Sequence, residues 1–139
     1  NLGIPFAPPL AGTSWIAPKY ITPVGTIPYF KKTEAEISLV AAGAVEATFD
    51  ATAERDYDVL VRGRSAPAAG EFAAVTVEID GREIGQTIVG SRSPGTFRVE
   101  QCHLTRGSHH LKIIYTNDLW VPPEDRNLYL HAVGFRPIE

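Results

Sequence analysis

The feature that most constrains the fold of this sequence is a succession of short segments in which apolar and polar residues alternate. In the run from Val75 to Ile79, for example, the apolar residues are Val75, Val77 and Ile79. This two-residue period is typical of strands that bury one face, and no segment keeps the 3.6-residue apolar period of a helix. We therefore predict eight strands, at residues 35–39, 44–49, 56–62, 74–79, 83–89, 96–100, 109–115 and 127–135.

The connections between these segments are short and carry turn residues. Asp80-Gly81 separates two alternating runs by two residues, a strong signal for a β-hairpin. Ser93-Pro94-Gly95 and Arg106-Gly107-Ser108 are turn sequences between later segments. Eight short strands at close spacing favour an all-β fold, specifically an antiparallel β-sandwich.

The first thirty residues of the chain have a different composition. Residues 1–30 contain six prolines among scattered aromatic residues, which disfavours helices and central strands. The segment has too few charges for a solvated linker. We predict an extended proline-rich N-terminal arm over residues 1–33 and a β-sandwich domain over residues 34–139. The arm is expected to pack either on its own domain or on a partner, and the sequence leaves both open.

Bulk composition excludes several classes of function. The 139 residues suffice for one domain with a real core, and 44% of them are hydrophobic. A formal net charge of −3 without a Lys/Arg run argues against nucleic-acid binding, and no apolar stretch is long enough for a membrane span. The sequence begins at Asn1 and has no methionine, which we interpret as signal-peptide removal or excision from a longer polypeptide.

The most polar connection lies between the last two predicted strands, at residues 116–127. It combines the carboxylates of Asp118, Glu124 and Asp125 with the side-chain amides of Asn117 and Asn127. Ca²⁺ prefers six to eight oxygen ligands from carboxylates, amides and backbone carbonyls, and this loop offers all three. Two consecutive prolines also stiffen the middle of the loop. The pattern favours a calcium site with coordination positions open to an external ligand.

The second half of the chain resembles the small calcium-dependent, xylan-binding carbohydrate-binding modules of family 60 and their circularly permuted relatives of family 36. The blocks that carry the resemblance are strand segments and the acidic loop with the strand that follows it. They comprise residues 57–62 (Tyr-Asp-Val-Leu-Val-Arg), 77–85, 107–111, 115–118 (Tyr-Thr-Asn-Asp) and 124–129 (Glu-Asp-Arg-Asn-Leu-Tyr). The similarity extends over about residues 34–135. It implies a jelly-roll β-sandwich in which a calcium ion in a surface loop binds two adjacent sugar hydroxyls.

Carried to the matching positions, the resemblance implies a set of site residues. Asp118 and Asp125 are the expected carboxylate ligands, and Glu124 is expected to contribute a carboxylate or a backbone carbonyl. Backbone oxygens near Trp120 are the other expected protein ligands. Asn117 and Asn127 are expected to orient the loop or to contact sugar. Arg126 is expected to pair with a ligand carboxylate and hold it in place.

Trp120 allows two interpretations. It could be a platform for the apolar face of a sugar ring, or it could fold back over the sandwich edge or the N-terminal arm. We prefer the second, because the two prolines limit adaptation of the loop.

Two further groups of residues could bind metals. Glu34 and Glu36, at the start of the first predicted strand, could hold a second, structural calcium, although a solvated strand end explains them better. The four histidines, His103, His109, His110 and His131, have no zinc-like spacing, and we expect solvated hairpin side chains.

No constellation of residues in this sequence resembles a catalytic site. Cys102 and His103 are adjacent and project to opposite faces of a strand, so they do not form a dyad. We therefore predict a non-catalytic, calcium-dependent domain that binds xylan or a similar β-glycan, as a secreted or periplasmic accessory domain of a polysaccharide-acting protein. The alternative is a structural or docking domain of a larger enzyme, whose N-terminal arm packs on the catalytic part.

Overall fold

The protein's structure, a computed structural model, describes residues 12–138, and these form strands joined by short turns with one 3-10 turn at Pro18–Tyr20. Each of the eight predicted segments is a strand, and four short strands, β1 to β3 and β11, were not predicted. In chain order the strands are β1 Ser14–Ile16, β2 Thr22–Pro23, β3 Lys31–Lys32, β4 Ile37–Leu39, β5 Gly43–Ala51, β6 Arg55–Ala66, β7 Ala73–Ile79, β8 Arg82–Val89, β9 Gly95–Leu104, β10 Gly107–Tyr115, β11 Leu119–Val121 and β12 Glu124–Pro137.

The strands form two sheets, and every strand pair in them is antiparallel. The first sheet has the order β3-β4-β12-β6-β9, with β1 and β11 also paired to β12. The second sheet has the order β2-β5-β10-β7-β8. The prediction of an all-β antiparallel sandwich is therefore confirmed.

The core lies between the two sheets, where alternate residues of each strand point inward. Along β10, Leu111, Ile113 and Tyr115 are each 1% exposed, while the residues between them are only partly covered. Leu128 and Leu130 of β12 supply the matching inner face of the other sheet and are fully buried. The alternation in the sequence thus determines which residues face the core.

Residues of the predicted arm are part of both sheets. β1 pairs with β12 of the first sheet, and β2 pairs with β5 of the second. Between and after these strands, Ile21 and Ile27 are 1% and 7% exposed and belong to the hydrophobic core. From Ser14 onward the segment therefore packs on its own domain, whereas residues 1–11 of the predicted arm lie outside the described residues.

Trp15 shows how the chain accommodates this segment. A Cβ atom at Gly134 would lie 2.7 Å from the Trp15 ring, so only glycine leaves room for the indole against β12. Trp15 and Gly134 are register partners, as are Gly134 and Leu60 of β6. A close indole contact of this kind depends on a residue more than a hundred positions away, which local sequence patterns do not reveal.

The acidic loop and the strands beside it lie at one end of the sandwich. The end of β10, the β11–β12 hairpin, the end of β6 and the start of β7 all meet there, because Tyr115 pairs with Val75 and Asn127 pairs with Ala66. None of the elements within residues 12–138 is an apolar helix long enough to cross a membrane.

Candidate metal site

The acidic loop is a tight β-hairpin. β11 and β12 pair through Leu119 with Arg126, Trp120 with Asp125, and Val121 with Glu124, around a Pro122-Pro123 turn whose peptide bond is cis. Directly opposed residues of an antiparallel pair share a face, and neighbours along a strand alternate. Trp120 and Asp125 therefore lie on one face of the hairpin, and Glu124 and Arg126 lie on the other.

Asp118 and Asp125 are close enough to influence each other's charge. Burial raises the pKa of Asp118, and the negative charge of Asp125 raises it further, against the lowering effects of a hydrogen bond from the Tyr115 hydroxyl and the charge of Arg126. The Tyr115 hydroxyl donates to the Arg126 carbonyl oxygen at 2.6 Å and lies 3.3 Å from Asp118 Oδ1. Two neighbouring carboxylates that repel each other form a site that favours a cation.

Asn127 completes this face of the hairpin. Its Nδ2 donates to Asp125 Oδ2 at 3.2 Å and lies 3.4 Å from the Tyr129 hydroxyl. Its Oδ1 is buried and accepts no hydrogen bond from any residue of the described part. A buried acceptor normally has a partner, so this oxygen is suited to a cation or to a ligand hydroxyl.

The other face of the hairpin is structural. The Arg126 side chain is 4% exposed and donates to three backbone carbonyls, those of Ala68, Glu71 and Asn117, at 2.5, 2.9 and 2.6 Å. Its carboxylate contact is Glu71 at 3.7 Å, on the neighbouring loop. Arg126 therefore positions the loops behind the site through backbone oxygens, whereas the sequence led us to expect a direct pairing with Asp118 or Asp125.

Glu124 points toward the same neighbouring loop. Its Oε1 accepts a hydrogen bond from the Ala69 backbone N–H at 3.1 Å. Because Glu124 and Asp125 project to opposite faces of the hairpin, this carboxylate is directed away from Asp125. Of the two ligand roles predicted for Glu124, the backbone carbonyl fits this geometry better than the carboxylate.

Asn117 anchors the loop to β7. Its Oδ1 accepts from the Ala74 backbone N–H at 2.8 Å, and its Nδ2 donates to the Phe72 carbonyl at 3.0 Å. Both polar groups of the amide are therefore engaged by backbone. Of the two roles predicted for Asn117, orienting the loop is the one that this geometry supports.

The residues on the Trp120 side fit a calcium ion by the chemistry of their donors. Asp118 and Asp125 supply carboxylates, Asn127 supplies a buried amide oxygen without a partner, and the hairpin supplies backbone carbonyls. Within residues 12–138 no group of three or more His, Cys, Asp or Glu side chains is arranged for a metal. The donor set is thus all oxygen and includes only two carboxylates, which suits a hard cation with vacant positions for ligand oxygens.

Trp120 is exposed, contrary to our preferred interpretation of the sequence. Its exposed fraction is 71%, and it folds neither over the sandwich edge nor into the described part of the arm. Its neighbours Leu119 and Val121 are 37% and 43% exposed. The cross-strand pairing with Asp125 holds the indole beside the carboxylates, where it can serve as a platform for a ligand ring.

A second exposed aromatic residue at this end was not predicted from the sequence. Tyr29 is 83% exposed and has a φ of 58°, two residues before β3. Lys31 pairs with Ser38, and Ser38 pairs with Tyr129. When both registers are continued by two residues, Tyr29 comes to the level of Asn127, two strands away, or about 10 Å. Because Tyr29 lies in the proline-rich segment, the sequence did not predict where it would lie in the fold.

Glu36 is engaged in an ion-pair network. Its carboxylate accepts from Arg64 Nε and Nη2, both at 3.0 Å, and from His131 Nε2 at 2.7 Å. Burial alone would raise the pKa of Glu36, but these hydrogen bonds outweigh burial and lower it. Both carboxylate oxygens are therefore occupied by cationic donors.

Glu34 is exposed, and both glutamates precede β4, which begins at Ile37 instead of residue 35. Glu34 and Glu36 therefore do not stand at the start of a strand, as we had predicted from the sequence. The surroundings of Glu36 do not support a second cation there.

Two histidines differ from the expectation of solvated hairpin side chains: His131, in β12, is 20% exposed and contacts Glu36, and His109 is buried. His109 is 8% exposed, and its ring nitrogens lie 2.6 Å from Asp80 Oδ2 and 2.7 Å from the Thr105 carbonyl oxygen. His103 remains exposed, between Glu54 and Asp56. His103 and His109 contact acceptors at hairpin ends, and nothing in the described residues groups the histidines around a metal.

Comparisons with known proteins show the family and the fold of this chain. Residues 56–137, more than half of the chain, match the model of family CBM60, described as a Ca-dependent, xylan-binding carbohydrate-binding module. A search of curated proteins found no significant match.

Solved structures share the fold at low sequence identity. The CBM36-1 domain of a multidomain xylanase from the hindgut metagenome of Trinervitermes trinervoides superposes with a TM-score of 0.69 at 16% identity, covering 91% of this chain and 98% of that one. A CBM36 module in complex with calcium and xylotriose has a TM-score of 0.67 at 20% identity, covering 88% and 98%. The Podospora anserina GH26-CBM35 mannanase has a TM-score of 0.64 at 11% identity, covering 92% of this chain and 28% of that one. Because the family model matches residues 56–137, more than half of the chain, this chain belongs to the CBM60 family of Ca-dependent, xylan-binding carbohydrate-binding modules.

Proposed function

We propose that the Trp120 face of the β11–β12 hairpin is the calcium-dependent xylan-binding site of this module. The observation that carries the proposal is the pairing of the exposed Trp120 with Asp125, next to the partly buried Asp118. The family match gives the ligand class and the cofactor, and the geometry suggests which residues serve them.

The protein's residues divide into two groups by role. On the ligand side, Asp118, Asp125 and the Asn127 amide oxygen hold the ion together with backbone oxygens near Trp120. When bound, calcium supplies coordination positions that two adjacent sugar hydroxyls can occupy. The exposed indole of Trp120 offers a flat apolar surface to the pyranose ring.

The second group keeps the ligand groups in place. Arg126 joins β12 to the loops at Ala68, Glu71 and Asn117 through their carbonyl oxygens. The Asn117 amide fastens the start of the hairpin to the strand at Ala74. Because these contacts are made with the protein's own backbone, they limit movement of the loops that carry the ligand groups, which lowers the entropic cost of recognition.

The test is calorimetric titration with xylotriose in calcium and in EDTA. We expect that EDTA or Asp118→Ala weakens xylotriose binding by at least roughly 100-fold, because the ion provides the main polar contact with the sugar. Asp50→Ala is the matched control, since Asp50 is an exposed carboxylate at the far end of β5. Xylotriose binding that is unchanged both in EDTA and in Asp118→Ala would refute the proposal.

We also infer that the chain is a non-catalytic accessory domain of a secreted or periplasmic polysaccharide-acting protein. Membership in a carbohydrate-binding family supports a non-catalytic role. Contact between residues 1–33 and a catalytic domain stays a prediction. The integration of β1 and β2 into the two sheets gives the alternative docking role no support from Ser14 onward.

A further inference from the structure

A shallow groove crosses the outer face of the second sheet. It encloses about 260 Å³ and is lined by Tyr20, Thr22, Glu46, Thr48 and His110, together with Ala47. Four of the five polar or aromatic residues precede residue 56, where the family match begins. Most of the groove's lining therefore lies outside the region by which the family is recognised, and His110 lies inside it.

Tyr20 is exposed, yet its backbone is fixed. The side chain is 60% exposed, whereas Pro18 and Ile21 on either side are buried. The Tyr20 backbone N–H donates to the Ala17 carbonyl oxygen at 3.0 Å, and the Ile21 N–H donates to the Pro18 carbonyl oxygen at 2.9 Å. An exposed aromatic ring keeps apolar surface in contact with water, which is unfavourable. Because the turn that carries it is anchored, the ring also provides a rigid flat surface for a ligand.

The floor of the groove offers hydrogen-bonding groups of balanced charge. Thr48 is exposed and lies opposite His110 across the β5–β10 pair. His110 Nε2 lies 2.7 Å from Glu46 Oε1, and these side chains are 42% and 36% exposed. Two residues further along the same two strands, Glu46 lies opposite Lys112. The groove thus presents the hydroxyls of Thr22 and Thr48 and the Glu46–His110 pair without a run of like charges, so it suits a neutral polyhydroxylated chain better than a charged polymer.

The groove is separate from the hairpin site. Along β10, His110 lies five residues before Tyr115, a separation of roughly 17 Å at strand spacing. Tyr115 contacts Asp118, so the metal site lies beyond that end of the strand. A trisaccharide held at the hairpin is too short to fill both places, whereas a polysaccharide can reach both.

We propose that this groove, with Tyr20 as its aromatic surface, is a second, calcium-independent contact site for the glycan chain. The inference rests on the proposed function for its choice of glycan, and it adds a second point of attachment on the same domain. Two linked sites on one polymer raise the overall affinity through effective concentration, without any change in the calcium site.

The experiment compares xylotriose with long soluble xylan, in calcium and in EDTA, for the wild type and for Tyr20→Ala. For Tyr20→Ala in calcium we expect unchanged xylotriose affinity and a roughly tenfold loss of xylan affinity, because only the polymer uses both sites. In EDTA, the weak residual binding of xylan by the wild type is expected to disappear in Tyr20→Ala.

Two further variants make the comparison specific. Lys19→Ala removes the cation that lies 4.9 Å from the Tyr20 ring centroid but keeps the ring, so it should bind xylan like the wild type. Thr48→Val removes a groove hydroxyl in a strand-compatible side chain, and it should reduce xylan affinity even if Tyr20→Ala folds poorly.

The outcomes separate the two proposals. If Tyr20→Ala and Thr48→Val keep the wild-type ratio of xylan to xylotriose affinity, the groove proposal is wrong while the calcium site stands. If the wild type fails to bind xylotriose in calcium, the proposed function fails and the groove proposal fails with it.

Discussion

Trp120 and Asp125 face each other directly across the β11–β12 hairpin, so the exposed indole and the carboxylate share one surface. This cross-strand pair joins the two kinds of contact that a sugar needs, a flat apolar face and a polar group that can bind an ion. One residue along the strand, Glu124 and Arg126 project to the opposite side and serve the scaffold. Within residues 120–126, the two-residue alternation of a strand thus separates the side chains of the proposed site from those that support it.

The first prediction concerns calcium and stability. A ligand that binds only the native state stabilises it, by about 2.7 kcal/mol at a hundredfold excess over Kd. Calcium should therefore raise the melting temperature of the wild type and have no effect on Asp118→Ala. Thermal melts in calcium and in EDTA measure this, and an equal calcium shift in both proteins would contradict a role for Asp118 as a ligand.

The second prediction concerns Trp120. Because its side chain is 71% exposed, Trp120→Ala should change the free energy of unfolding by no more than about 0.5 kcal/mol. The variant should nevertheless bind xylotriose roughly tenfold more weakly, since a stacked aromatic surface is lost. Calorimetry beside urea denaturation separates these effects, and Val121→Ala on the opposite face of the hairpin is the control. Normal sugar binding by Trp120→Ala would rule out the platform role.

The third prediction concerns the buried guanidinium of Arg126. Arg126→Met removes the guanidinium hydrogen bonds to the carbonyls of Ala68, Glu71 and Asn117, while the Ala68 and Glu71 carbonyls keep each other's backbone N–H as a donor. A hydrogen bond from a charged donor stabilises a fold by about 1.5–3 kcal/mol, so we expect the variant to lose about 3 kcal/mol of unfolding free energy. Urea denaturation measures the loss, and Arg92→Met at an exposed position should lose almost nothing. Equal stability of the two variants would show that the three hydrogen bonds are not structural.

The fourth prediction concerns the N-terminal segment. Ile21 is 1% exposed in the core, so Ile21→Ala should destabilise the protein by about 2–4 kcal/mol. Val24, three residues later, is 38% exposed, and Val24→Ala should be close to neutral. The same denaturation assay compares the two. A neutral Ile21→Ala would mean that the segment is an appended linker and that the domain begins after it.

The fifth prediction concerns pH and the His109–Asp80 pair. The hydrogen bonds from the His109 ring to the Asp80 carboxylate and to the Thr105 carbonyl oxygen raise the pKa of His109, and the hydrogen bond from His109 lowers the pKa of Asp80. The raised histidine pKa stabilises the fold fully below the ordinary value of about 6.5, and this contribution is lost as the pH rises through the raised pKa. The lowered aspartate pKa stabilises the fold above about 3.9, and this contribution is lost as the pH falls through the lowered value.

The test is the stability difference between the wild type and His109→Gln across pH. Because Asp80 is partly exposed, we expect a difference of only about 1 kcal/mol near pH 5–6. The difference should shrink as the pH rises above the raised histidine pKa. His103→Gln is the control, since His103 is exposed. A difference that grows toward alkaline pH would contradict a charged His109.

Particular residues show which features of this structure can be predicted from local sequence patterns. Asp80-Gly81 was predicted as a two-residue hairpin turn, and both residues have positive φ, 54° and 81°, between β7 and β8. The oxygen-rich composition of residues 116–127 was sufficient to locate the candidate site. In contrast, the sequence did not separate Glu124 from Asp125, or predict that Glu36 is occupied by Arg64 and His131.

The sequence by itself determined the strands and their inward faces, because alternation of side chains is a property of a few consecutive residues. Tertiary structure alone decided which polar groups meet. The pairing of β1 and β4 with β12, the exposure of Trp120 and the burial of Ile21 all depend on contacts between distant parts of the chain. Such contacts follow from sheet register and from the closing of one sheet over the other, and neither is encoded in any short run of residues.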